Sequence, residues 1–571
     1  MTEITGGELL LRCLKQENVS HIFGVIDGSL NPLLEKLDEY DVQLIVPRHE
    51  AAGAHMADAW ARVTRRPGVC MAGAGPGTAN LVSGVVTAHA EGVPLVAISG
   101  QRRRNVIYPD RGGAFQYTDQ SALFRPVTKW NATAHEWRRI PELVRQAFRV
   151  ATSGRPGPVH LEFPEDVLDE TGDADSVTLS PPEQYRLTTP SAGDPALIAR
   201  AAHLLAEAER PLLHAGSGLA WAGGEEAFLA LADYLAATMS VSLGARGTVP
   251  EDHPRYLHLL NREALEQAHA EADVVLAVGT RFGELEGWGR PPAWPPAGTQ
   301  EVIHVDADPT SIGLNQPVSL GIVGDGAAVL SALLEAVKGL TGPREESAAW
   351  EEYRRLTAAW EADLEAQTRL GEGGINPGWM IQQVRAFFPR QAIFVMDGGN
   401  TSLWCANYNP VYAPRSYLYT AKFGHLGTGL PYALGAQVAA PDRPVYLVTG
   451  DGALGFSLQE LETARRHGLP VAVVVNCDRR WGMEVSSQTM AFGGEKLVGV
   501  EHYPGVRYDV VAQGLGCHGE LVEAAEQLLP ALERARDAGR PAVIQVLVDQ
   551  VANLIPPGLL LFGSMVFGRS D

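Results

Sequence analysis

Two short segments carry the residue types that a diphosphate and a divalent cation require. Gly450-Asp451-Gly452 follows the apolar run VYLVT and precedes a helical pattern. Glycines at a strand-to-helix turn let the backbone approach a diphosphate, and a helix start favours negative charge. Asp478 lies 27 residues after Asp451, just past the next apolar run, PVAVVVN. Neighbouring parallel strands would set both carboxylates at one sheet edge, where a hard octahedral cation such as Mg2+ takes few protein ligands and keeps phosphate oxygens. A GDG triplet alone is more often an ordinary turn, so the pair is the stronger signal.

The spacing of apolar runs predicts the sheets that such segments need, three times over. HIFGV, VQLIV, GVCMAG, PLVAISG and PVHLEF alternate with amphipathic stretches such as EAAGAHMADAWARVT. After a Pro/Ser/Thr/Gly-rich passage from Ser180 to Asp194 the alternation restarts with PLLHAGSG, ADVVLAVGT and EVIHVDAD, and AIFVMDGGN, PVYLVTGDG, LPVAVVVNCD and PAVIQVLVD form a third set. This pattern reads as parallel, doubly wound α/β sheet. The expected organisation is three consecutive α/β domains at residues 1–185, 190–340 and 375–550, with a charged, solvated helical connector before the third. Residues 551–571 form a tail too apolar to trail in water.

Lys+Arg 46 against Asp+Glu 67 gives a formal net charge of −21, a field that disfavours nucleic acid and anionic membranes. Arg102, Arg103, Arg104 and Arg111 are a local basic exception. The five cysteines, Cys13, Cys70, Cys405, Cys477 and Cys517, show no C-x-x-C spacing. Neither a disulfide framework nor a zinc site is expected, and a reducing cytoplasm fits. No apolar run reaches the length of about 18 residues that spans a bilayer, and the N-terminus lacks a signal-like apolar core.

The motif pair and its surroundings resemble the thiamine-diphosphate (ThDP) dependent enzymes, in the branch of acetolactate synthase, benzaldehyde lyase and 2-hydroxyacyl-CoA lyase. The likeness runs through ITGGEL, FGV at Phe23–Val25, RHEAAGA at Arg48–Ala54, GAGPGTAN at Gly73–Asn80, Phe115-Gln116, GHLGTGLPYALGAQ from Gly424, the GDG triplet and Cys477-Asp478. It implies a pyrimidine-binding, a central and a diphosphate-binding domain in that order, with ThDP and Mg2+ as cofactors. Glu50 matches the glutamate that hydrogen-bonds the aminopyrimidine ring and promotes deprotonation of thiazolium C2. This is cofactor chemistry in which the protein supplies orientation and proton control. Gly424 matches the backbone carbonyl that receives the aminopyrimidine N–H. Leu426 matches the bulky side chain that props the cofactor into a V shape, and it also suits plain core packing.

The resemblance further implies cofactor contacts at Asn80, Gly399, Asn400, Thr401, Gly450, Asp451, Gly452, Ala453 and Met483. It implies metal ligands at Asp451, Asp478 and the Arg480 carbonyl, with Asn476 the alternative to Asp478 if the loop is shifted. Cys477-Asp478 stands where two asparagines are usual, and aspartate remains a hard-oxygen ligand. Relatives hold the cofactor between subunits, so a homodimer at minimum and a homotetramer are implied, with Glu50 and Asp451 acting in trans.

On the substrate side, Gln116 matches a substrate-facing glutamine. Ser29 stands where benzaldehyde lyase carries a histidine, which speaks against simple aromatic aldehydes. A proton shuttle must then come from elsewhere. Glu484, at a position that is apolar in acetolactate synthases, is the first candidate, because a carboxyl in an apolar pocket has a raised pKa. His425 is the second candidate and Asp27 the third. The arginine run suits a carboxylate or phosphate, as in a CoA thioester, or else a solvated loop. These features favour a carbon–carbon lyase or carboligase on 2-hydroxyacyl or 2-oxo substrates, with a 2-hydroxyacyl-CoA lyase as the specific expectation. An acetolactate synthase-like carboligase or 2-oxo acid decarboxylase is the alternative, and a non-catalytic subunit of the same fold a remote one. Gly279-Thr280-Arg281 and Asp306-Ala307-Asp308 resemble nucleotide-contacting positions. Relatives hold FAD, ADP or nothing there, and without a G-x-G-x-x-G no nucleotide is assigned. The tail's Pro-Pro start suits a cover over the active site or static packing.

Overall fold

The computed structural model describes residues 3–371, 373–493 and 496–559. Apolar runs buried on both faces, such as Gly68–Ala72 and the Val-rich Val274–Val278, form parallel strands as their composition dictates. Three parallel sheets of six, five and six strands result, each covered by helices. The first has the order Gln43–Ile45, His21–Gly24, Gly68–Ala72, Leu95–Gln101, Val159–Pro164, Trp130–Thr133. The second runs Thr238–Val241, Pro211–Ala215, Val274–Val278, Glu301–Asp306, Leu320–Val323. The third runs Tyr417–Leu418, Ile393–Asp397, Val445–Gly450, Ala472–Cys477, Ala542–Leu547, His518–Val522. The expected doubly wound α/β class therefore stands for all three units.

The first and third units share one hydrophobic core that includes Phe23, Trp60, Leu430, Leu434 and Val473. Helices Glu50–Thr64 and Gly429–Ala439 pack against each other at its centre. Small residues permit the approach: a Cβ on Gly435 would lie 2.2 Å from the Met56 carbonyl oxygen, and helix Pro76–Glu91 packs as closely on the other side, where a Cβ on Gly84 would lie 2.4 Å from the Ala54 Cβ. A buried Arg62–Asp58 ion pair braces this seam, with Arg62 also donating to the Tyr419 carbonyl at 3.0 Å and the Tyr432 hydroxyl at 3.2 Å. The expected solvated connector is in fact half buried. Helix Ala349–Gln367 places Trp350, Tyr353 and Leu356 in a core with Phe282 and Trp294 of the second unit, and Leu364 in the core of the third. No helix among the described residues is long and apolar enough to cross a membrane.

Candidate active site

Register sets the chemistry of the third sheet. Strands Val445–Gly450 and Ala472–Cys477 run parallel with Gly450 opposite Asn476, so Asp451 and Asp478 both emerge at the carboxyl edge, where open α/β sheets place their ligands. Both carboxylates are buried, at 2% and 3% exposure. Asp451 accepts from the Gly452 N–H at 2.9 Å and the Arg479 N–H at 3.0 Å. Asp478 accepts from the Arg480 N–H at 3.1 Å and the Asn553 amide at 2.7 Å. Burial, with Asp451 adding repulsion, pushes the Asp478 carboxyl up to about 6. Two buried carboxylates facing one edge could hold a divalent cation. Among the described residues no three acidic, histidine or cysteine side chains form a ready-made cage, so phosphate oxygens and backbone carbonyls must complete such a site.

The neighbouring strand end contributes the other half of the cradle. Gly398, with φ at +114°, turns the chain from strand Ile393–Asp397 into helix Asn400–Tyr408. A Cβ on Gly399 would lie 2.6 Å from that of Met483, and one on Gly452 would lie 2.7 Å from the Trp481 ring, so both positions require glycine. Thr401 accepts from the Asn476 amide at 3.0 Å, while the Asn400 and Asn476 side-chain oxygens are buried with no partner among the described residues. Gly424 adopts φ +64° at the open end of the GHLG loop. In the first unit, Glu50 opens helix Glu50–Thr64 and accepts from the Asn80 amide at 3.0 Å. Gly77 leaves room for it, since a Cβ there would lie 3.2 Å from the Glu50 carboxylate.

Comparison with known proteins decides what this pair of cradles belongs to. Residues 4–123 match the N-terminal TPP binding domain of thiamine pyrophosphate enzymes, 198–333 their central domain and 397–546 their C-terminal TPP binding domain. The probable acetolactate synthase large subunit of Methanocaldococcus jannaschii is 32% identical over 97% of this chain and 94% of its own length. A probable acetolactate synthase of Mycobacterium bovis is 34% identical over 95% of each chain. The acetolactate synthase large subunit of Corynebacterium glutamicum is 32% identical over 97% of this chain and 88% of its own. The chain belongs to the thiamine pyrophosphate enzymes. It is a ThDP-dependent enzyme that forms or cleaves carbon–carbon bonds. The expectation of a 2-hydroxyacyl-CoA lyase is overturned, because the relatives that match along the full chain are named acetolactate synthases.

Several residues of this thiamine pyrophosphate enzyme sit differently from their sequence reading. The arginine run offers little to a CoA phosphate. Arg102 pairs with Glu165 at 3.2 Å, Arg103 with Asp169 at 2.7 Å and Arg104 with Asp166 at 2.7 Å, so acids of helix Glu165–Asp169 neutralise it. Glu484 lies in helix Gly482–Phe492 with an exposed side chain, not in the expected apolar pocket. His425 turns toward the first unit, within hydrogen-bond reach of Ser83 at 3.4 Å and Thr87 at 3.2 Å, with its ring 5.0 Å from that of buried His55. Asn80, Ser83 and Thr87 share one helix face by their i, i+3, i+7 spacing, so helix Pro76–Glu91 holds both Glu50 and the GHLG loop. Ser29 is buried and donates to Asp27 at 2.5 Å, which occupies that aspartate. Gln116, with φ +57°, packs its backbone against Gly75, and Phe115 beside it is 74% exposed. Leu426 is half-buried and Ala453 buried. Residues 560–571 of the expected tail lie outside the described residues.

Sequence reasoning missed four groups. Asp397 is buried behind the GHLG loop, accepts from the Gly429 N–H at 2.8 Å, and is pushed up to about 7 by burial. His502 reaches Asp451 at 3.3 Å, which raises its pKa. Asn553 contacts Asp478. Lys422 lines a cavity of about 980 Å³ between the three units, together with Arg155, Ser217, Arg281, Gly424 and Met483. Gly279, Thr280, Asp306 and Ala307 lie on the same wall. Lys422 is exposed to this cavity and donates to the Ser217 hydroxyl at 3.1 Å; partial desolvation by the surrounding protein lowers the pKa of its ammonium, with Arg281 and Arg155 adding repulsion and Glu91 opposing it. Only the Asp397 run carried a sequence signal, through the Gly-Gly-Asn that follows it.

Proposed function

We propose that this enzyme is an acetolactate synthase-like carboligase that joins 2-oxo acids. The full-length likeness to relatives of that name carries the reading. Arg155, Arg281 and Lys422 come from three different units and line one space with the cofactor-motif residues Gly424 and Met483, where each could pair with a substrate carboxylate; Glu91, Glu266, Glu284, Glu286, Asp306 and Asp325 line the same cavity, so its charge is mixed. When bound, ThDP would supply a nucleophilic carbon at thiazolium C2. The chain's own residues orient and protonate. In this reading Glu50 would hold the aminopyrimidine and its proton, and the Gly424 carbonyl would accept the ring's N–H. Leu426 props the cofactor, while Asn80, Gly399, Asn400, Thr401, Gly450, Gly452, Ala453 and Met483 contact it. Gln116 faces substrate. Glu484 becomes enclosed only if a partner subunit covers its helix, and it is the remaining proton-shuttle candidate.

Asp451, Asp478 and the Arg480 carbonyl would hold Mg2+, which fits two buried carboxylates and the unpartnered Asn476 oxygen beside them. We further propose a homodimer at minimum, and a homotetramer as the fuller assembly, with Glu50 and Asp451 acting across the subunit boundary. Exposed Ile26, Phe115, Phe456 and Tyr503 fit a buried subunit face. Light scattering of the purified enzyme tests this.

Incubation with pyruvate, ThDP and Mg2+ is expected to yield acetolactate and CO2. Release of aldehyde without acetolactate moves the reading to a 2-oxo acid decarboxylase, and absence of both products overturns it. Replacing Lys422 by methionine is expected to raise KM for the 2-oxo acid about 10- to 100-fold, since a hydrogen bond to a charged group contributes about 1.5–3 kcal/mol. ThDP affinity, followed by tryptophan fluorescence, should stay at the parent value.

A further inference from the structure

Past the last long strand of the third sheet the chain does not leave the site. Asp549 caps a short turn, accepting from the Val551 and Ala552 N–H groups at 3.0 and 2.9 Å, and directs residues 550–557 across the strand ends that carry the cofactor motifs. The contacts there are polar and specific. Gln550 donates to the Asp478 carbonyl at 2.6 Å and Asn553 to the Asp478 carboxylate at 2.7 Å. The Asn553 side-chain oxygen accepts from Asn476 at 3.0 Å, and its backbone carbonyl accepts from Asn400 at 3.1 Å and Trp404 at 3.3 Å. The Leu554 carbonyl accepts from Ser486 at 3.2 Å and the Pro557 carbonyl from Asn407 at 3.0 Å.

One residue therefore ties the end of strand Ala472–Cys477 and Asp478, through its side chain, to helix Asn400–Tyr408, through its backbone carbonyl. Asn553, Asn476 and Asp478 are all nearly fully buried, at 2%, 1% and 3% exposure, so each missing partner would cost a desolvated polar group. The chemistry at Asn553 is also narrow. A donor must face Asp478 and an acceptor must face Asn476, which only a side-chain amide of this length satisfies. Asp478 stands beside a second carboxylate, whose repulsion would otherwise rotate it away. The Arg480 N–H at one oxygen and the Asn553 amide at the other fix the plane of the group.

We propose that Asn553 is a positioning residue that orients Asp478 for the divalent cation, and that residues 549–557 strap the cofactor cradle through it. This rests on the reading of Asp478 as a metal ligand. Groups that hydrogen-bond a ligating carboxylate set metal affinity, and their loss costs about 10- to 100-fold. The strap thus links the order of the chain's last described segment to metal binding.

Titration of the ThDP-containing enzyme with Mn2+, with free ion read by electron paramagnetic resonance, tests both layers. N553A and N553D are each expected to weaken Mn2+ binding about 10- to 100-fold, and excess metal should restore kcat, which a purely structural defect would not allow. N553D keeps the size of the side chain and its acceptor for Asn476, so it carries the test if N553A does not fold. An N553D affinity equal to the parent's, or tighter, overturns the strap while D478A still loses binding. If D478A binds Mn2+ as the parent does, the ligand reading itself fails.

Discussion

Replacing Glu50 by glutamine is expected to lower kcat by about 100- to 10,000-fold, the range that a positioned proton-transfer group contributes, with little change in thermal stability. The two effects separate because of where Glu50 sits. It opens a helix, is half-exposed, and has one side-chain partner, Asn80, at 3.0 Å. A glutamine keeps that shape and can still accept from Asn80 through its oxygen. Only the interaction of the charge with the helix start is lost, about 0.3–1 kcal/mol. What glutamine cannot do is hold a charge-assisted hydrogen bond to a protonated ring nitrogen. Deuterium exchange at thiazolium C2 of the bound cofactor, followed by NMR, should slow in parallel with kcat. Exchange and turnover within tenfold of the parent would remove Glu50 from the proton chemistry and leave its helix-start position as its whole role.

The strands at sheet centres were legible because burial on both faces forces continuous apolar runs, as in Ala472–Cys477 and Leu95–Gln101. The strands of these three sheets that escaped notice, Trp130–Thr133, Thr238–Val241, Leu320–Val323, Tyr417–Leu418 and His518–Val522, all lie at sheet edges, whereas the edge strand Gln43–Ile45 was legible within VQLIV. They are too short for any period to dominate. At the site, Asp451 and Asp478 were readable because each directly follows a central strand, and the parallel register does the rest. The arginine run misled because its neutralising acids, Glu165 to Glu170, lie beyond two further strands and two α-helices and meet it only in space. Lys422, His502 and Asn553 gave no signal for a related reason. Each acts on a group contributed by a distant segment, and no local spacing records such a meeting. Glu484 shows the limit of reading one chain: its neighbours in sequence are apolar, yet its helix presents it to the outside of this subunit.

The second large effect concerns pH and the metal-free protein. Asp478 is pushed up to about 6, first by burial and then by Asp451, so the folded state favours its protonated form. Its contribution to stability is complete below about pH 4, the unfolded value of an aspartate, and is lost as the pH rises through about 6. At about 1.4 kcal/mol per unit, the loss is at most about 3 kcal/mol. Thermal midpoints of the parent and D478N, measured in EDTA from pH 4 to 8, should therefore diverge in slope, the parent falling more steeply toward high pH. Other raised carboxyls, Asp397 and Glu162 among them, act equally in both proteins and cancel in the difference. The absolute gap also depends on how an amide at this position meets the Arg480 N–H and Asn553, but the slope does not. Adding Mg2+ with ThDP should reverse the order at pH 8, because a cation between Asp451 and Asp478 turns their repulsion into binding energy that D478N has partly given up. Parallel pH curves in EDTA would show that neither burial nor Asp451 raises the Asp478 pKa in the folded state. If Asp478 is a metal ligand, an aspartate at this position would stabilise the metal-loaded enzyme at the expense of the empty one, and the paired curves measure that difference.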